Sequence, residues 1–162
     1  MPSKTPTALS ITRARNTPGR WTTDTEPNIN IARLCAYRLG RVRDQLKAHD
    51  YAACVLYDSI NIRYATGTRD NAVFNFHYMA RYCFVPAEGP VILFDIPFKL
   101  NLPRAEADVV DEMRPARLWR YMIAGARVEE NVKLWADEIT DLVSKHGGGN
   151  RRLAIDHCEP LA

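Results

Sequence analysis

The chain has 162 residues, 46% of them hydrophobic and 25% charged, with 8 Gly and 10 Pro. That profile fits one globular domain able to bury a core without staples, and it excludes collagen-like, disulfide-knot and acidic disordered classes. A net charge of +3 is too small to name a partner, and no apolar run approaches the roughly 18 residues that a membrane span needs.

Residues 1–28 are rich in Ser, Thr and Pro, and their few apolar residues have no period. They are expected to form a disordered tail. The tail carries Lys4, Arg13, Arg15 and Arg20 against Asp24 and Glu26. A basic tail on a nearly neutral body lacks the basic folded face of a nucleic-acid binder. The first 30 residues have no apolar h-region, so no secretory leader is expected. The four cysteines, Cys35, Cys54, Cys83 and Cys158, include no C-x-x-C pair. Free thiols in a reducing, cytoplasmic compartment are expected.

The first helix starts after Asn30, a plausible N-cap, and keeps Ile31, Leu34, Cys35, Leu39, Val42 and Leu46 on one face. At Ala52–Tyr57 the pattern changes to a short apolar run between Asp50 and Asp58, which predicts a buried strand. Asn61 to Arg81 then reads as a 21-residue connection. Arg81–Pro86 and Pro90–Asp95 predict two further strands, and Ala87-Glu88-Gly89 between them suits a hairpin. Asp108–Met113 is a weaker strand. Val128, Val132, Trp135, Ile139, Leu142 and Val143 hold helical spacing, with Glu129 and Glu130 near the start and Lys145 and His146 near the end. Gly147-Gly148-Gly149 stops that helix, and Arg152–Asp156 predicts a closing strand. The fold class is α/β, a mixed sheet with a central hairpin and helices on its faces.

Little in this order of residues assembles catalysis. No H-E-x-x-H occurs. Asp156-His157-Cys158-Glu159 is the best local group of metal-ligand types, but strand neighbours point to opposite faces, so a polar strand end is the plainer reading. Ser3, Ser10, Ser59 and Ser144 lack a nucleophile-elbow context. Cys54 and Cys83 sit in apolar runs, which reads as inert core thiols. Gly147–Gly149 follows a helix, so it is no phosphate cradle. Arg114, Arg117 and Arg120, interleaved with Trp119 and Tyr121, read as a solvated face beside a packed Trp rather than as a nucleic-acid surface.

The stretch from Asn61 to Arg81 is different. It is dense in recognition chemistry: Arg69, Asn71, Phe74, Asn75, Phe76, His77, Tyr78 and Arg81. Arg81 at the mouth of a strand has the planar fork that clamps carboxylates, Phe74 and Phe76 suit an apolar wall, and His77 can donate or accept. The alternative is that the aromatics simply cover the sheet edge.

Asn61-Ile62-Arg63-Tyr64-Ala65-Thr66-Gly67 after an apolar strand resembles the N-I-x-Y-x-(S/T/A)-G stretch in N-terminal domains of the creatinase/Xaa-Pro peptidase, or pita-bread, family. Phe84-Val85-Pro86-Ala87-Glu88-Gly89-Pro90-Val91-Ile92-Leu93 is similar to that family's hairpin, and Ala124-Gly125, the following helix and Arg152–Asp156 fit in order. Asn61–Thr66, with Arg81 ahead of Phe84-Val85-Pro86, also resembles the branch containing dimethylsulfoniopropionate lyases. The resemblance, over roughly 30–160, implies a creatinase N-terminal-like (ribonuclease H-like) mixed sheet over 29–162. It implies that catalysis, and a divalent metal pair held by two Asp, one His and two Glu, belong to a larger C-terminal domain, with no cofactor in this chain. The chain is then expected to be a truncated or fragmentary, inactive half. Its role would be dimerisation, as a homodimer or with a catalytic domain, and substrate gating in trans, with Arg81, His77 and Phe74 as contacts and Arg69 in reserve. Expected ligands are a small carboxylate or a peptide; nucleic acid and membrane are not expected. A free-standing small-carboxylate binding module is the alternative.

Overall fold

In a computed structural model of the chain, residues 30–68, 80–97, 100 and 109–157 are described. The expected tail over 1–28 lies outside them. The chain divides at residue 30, and the unit Ile31–Ala162 carries every element below.

Helix α1 spans Ile31–Ala48 and buries Cys35, Leu39 and Leu46, as the apolar spacing requires. Strand β1 follows at Ala53–Leu56, buried throughout. The turn between them puts Asp50 at a φ of 56°, and Asn150 Nδ2 donates to both Asp50 O and Oδ1 at 3.0 Å.

The next element corrects the reading of 61–81 as one connection. Ser59–Thr66 is a helix, α2. Asp58 caps it, accepting from Ile60 N (2.7 Å) and Asn61 N (3.1 Å). Ile62, Ala65 and Thr66 form its buried face. Gly67 ends it at a φ of 75°, where a Cβ would run into Cys35 Sγ, so glycine there lets α2 close onto α1.

Strands β2 (Tyr82–Pro86) and β3 (Ile92–Asp95) form the expected hairpin, with Gly89 at a φ of 113° in the turn. Strand β4 runs over Glu112–Pro115, later than the expected Asp108–Met113. Its start is set by Asp111, which donates N–H to Val91 O at 3.0 Å and accepts Val91 N–H on Oδ2 at 2.7 Å. Helix α3 (Tyr121–Ala124) and a 3-10 turn (Gly125–Arg127) precede α4 (Val128–His146), and β5 is Leu153–Ile155.

The sheet order is β4-β3-β2-β1-β5. The pairs β1–β2 and β2–β3 are antiparallel, while β1–β5 and β3–β4 are parallel. This is the expected mixed sheet. Strand alternation sends Val55, Tyr57, Tyr82, Phe84, Ile92 and Phe94 to one face, against Trp119 and the α4 side chains Trp135, Ile139 and Leu142. Cys54, Leu56, Cys83, Val85 and Leu93 go to the other, against Leu39 and Leu46 of α1 and Ile62 of α2. Burying each large apolar side chain contributes about 1.5–3 kcal/mol before entropy is counted, so these two cores hold the sheet rigid between the helices.

Candidate functional site

Four strands end on the same side of the sheet, at Leu56, Asp95, Pro115 and Ile155, and antiparallel β2 begins there at Tyr82. Open α/β sheets place ligands at the carboxyl ends of strands. Here that end gathers Asp58, Arg81, Asp95 and Asp156.

Arg81 lies just before β2. Extending the register Tyr82↔Phe94 by one residue sets Arg81 opposite Asp95, on the α1–α2 face with Cys83 and Leu93. Arg81 is 7% exposed and Asp95 is 2% exposed. Arg81 Nε stands 3.0 Å from Asp95 Oδ2, an ion pair by distance whose N–H is not aligned as a hydrogen bond. Ile96 N–H donates to Asp95 Oδ1 at 2.8 Å, and Ala116 N–H donates to Asp95 O at 2.8 Å. Two charges this deep persist because each compensates the other. Arg81 is therefore already engaged by an internal carboxylate, at the point where the chain re-enters the sheet.

Asp156, just past β5, does different work. Its carboxylate accepts Tyr57 N at 2.8 Å, Asp58 N at 3.2 Å and Asn61 Nδ2 at 3.0 Å. It thus ties β5 to the β1–α2 turn across the parallel pair. In the local group Asp156-His157-Cys158-Glu159 it is a structural acceptor; Cys158 and Glu159 lie outside the described residues. Among the described residues no three His, Cys, Asp or Glu converge as a metal site.

The opposite face carries a chain of aromatic rings. Tyr82 stacks on Phe94 at 4.4 Å between centroids, Tyr57 lies 5.2 Å from Tyr82, and Trp119 lies 5.1 Å from Trp135. The Tyr82 hydroxyl accepts Arg117 N–H at 3.2 Å, and burial pushes its phenol well above the ordinary range. Burial, then the nearby Asp156 charge, pushes the Cys54 thiol up to about 12. Burial likewise raises Cys83, with Cys54 beside it. Cys35, Cys54 and Cys83 are free and buried, and the raised pair reads as core thiols rather than nucleophiles. The Arg114–Arg120 stretch is also as expected. Trp119 is buried, and Arg114 is spent on Glu112 (2.8 and 3.0 Å) and Glu138 (3.2 Å).

Of the four site residues expected from sequence, only Arg81 is described. Arg69, Phe74 and His77 lie outside the described residues, as do Asn71, Asn75, Phe76 and Tyr78. Asp58, Asp95 and Asp156 were not singled out as partners. The signal for Asp58 was present, an Asp immediately before a short amphipathic run; Asp95 and Asp156 emerge only from strand register.

The family model of the creatinase/prolidase N-terminal domain matches residues 38–159. The chain belongs to that family. It is 29% identical over 138 residues to the dimethylsulfoniopropionate lyase DddP of Roseovarius nubinhibens, covering 85% of this chain and 31% of the relative. It is 29% identical over 127 residues to DddP of Roseobacter denitrificans, covering 78% of this chain and 28% of the relative. The chain thus spans about a third of the length of these curated relatives. Among solved structures it is similar to the creatinase/prolidase-like N-terminal domain of a metallopeptidase from Corynebacterium diphtheriae, described in its structure as putative, at 12% identity and a TM-score of 0.45, covering 78% of this chain and 100% of that one. Among the described residues no helix is long and apolar enough to cross a membrane.

Proposed function

We propose that this chain works as the non-catalytic N-terminal domain of a creatinase/Xaa-Pro-peptidase-like metallohydrolase, gating substrate and pairing with a catalytic domain or a second protomer. The observation that carries the reading is the family match over 38–159. The clustering of strand ends around Arg81 supports it, because a segment anchored there is held at the sheet's ligand-facing end. In this reading Arg69, Phe74 and His77 contact a small carboxylate or peptide substrate in a neighbouring catalytic domain. Arg81, locked to Asp95, anchors the segment that carries them. The divalent metal pair belongs to the catalytic domain. The free buried thiols support a reducing, cytoplasmic setting.

A second reading has one specific observation behind it. Both curated relatives are named dimethylsulfoniopropionate lyases, which makes a sulfonium-bearing carboxylate the first substrate to try.

A chimera tests both. Residues 30–162 replace the aligned region of the Roseovarius relative, and dimethylsulfoniopropionate and Xaa-Pro dipeptide turnover are assayed. Gating predicts that Arg69→Ala, Phe74→Ala or His77→Ala raises KM of the active chimera about tenfold or more, the scale of one lost charge-assisted contact. An active chimera whose KM ignores all three changes contradicts the gating role.

A further inference from the structure

We draw no further inference here: the strongest candidate, the arginine-rimmed groove of about 370 Å³ between α1, Tyr51, Tyr64 and Ala154, lies beside the outer strand β5, and nothing in the structure shows what covers it.

Discussion

The two outer strands of the sheet are finished in opposite ways. Along β4, Arg114 bridges Glu112 and Glu138, and Pro115 closes the strand. Charges and a proline make that edge a poor template for pairing. Along β5 the tie is of another kind. The strand is held from within by Asp156 and leaves the apolar Ile155 at its rim. One flank of the sheet is finished by side-chain charge; the other is anchored by an inward carboxylate. The contrast is between a strand tied by surface charge and one tied by a carboxylate turned inward, and the substitutions below break or sharpen it.

The largest effect belongs to the β3–β4 flank. Asp95→Ala strands the Arg81 guanidinium at 7% exposure. Removing one partner of a buried pair costs about 3–5 kcal/mol, read as a lower urea midpoint at unchanged slope. A loss under about 1 kcal/mol, the range of exposed pairs, would show that the pair does not hold the end of β2.

On the β5 flank, Asp156→Ala removes three hydrogen bonds from the β1–α2 turn. The expected loss is about 1–3 kcal/mol, because these groups are partly solvated. Amide exchange should accelerate first at Tyr57, Asp58 and β5. Uniform acceleration across the whole sheet would mean that Asp156 does not act locally.

Much of this architecture was legible in the residues, and what was not has a physical cause. β1, β2 and β3 are short apolar runs bounded by turn residues, so period and punctuation agree. α1 and α4 are long enough for a 3.6-residue period to stand out. α2 spans only Ser59–Thr66, too few turns for periodicity, and its Asp58 cap and Gly67 stop were masked by reading the stretch as a recognition loop. The start of β4 depends on the Asp111–Val91 exchange, a contact between residues 20 apart in the chain. The Arg81–Asp95 pair needs the β2–β3 register, which no local pattern supplies. Arg81 stood out as a cation seeking a carboxylate; that the carboxylate is internal follows only from the fold. Arg69, Phe74 and His77 were legible as chemistry, not as placement.

Smaller effects complete the comparison. The Arg114–Glu112 pair is exposed, so Arg114→Ala should cost under about 1 kcal/mol. Its hydrogen bond and charge hold the Glu112 carboxyl below its ordinary value. A lowered acid contributes stability above its unfolded value, near pH 4.3, and loses it as pH falls through the folded value. The difference between wild type and Arg114→Ala should therefore shrink below about pH 4; a difference that grows there would have the wrong sign.

The thiols give the smallest signal near neutrality. In a Cys158→Ser background, Cys54 and Cys83 should resist a thiol reagent at pH 8 until the chain unfolds. Because the Cys54 thiol is raised to about 12, its contribution is intact below the unfolded value near 8.5 and declines as pH climbs toward 12. Prompt labelling of folded protein at pH 8 would contradict the buried-thiol assignment.

The most direct test of the central claim is turnover by the purified chain alone. With divalent zinc, manganese or iron supplied, it is assayed against Xaa-Pro dipeptides and dimethylsulfoniopropionate. The account predicts product formation no faster than in metal-only controls. Saturable, metal-dependent turnover at about 1 s⁻¹ or more, an ordinary enzymatic rate, would show that this domain carries a reaction centre of its own.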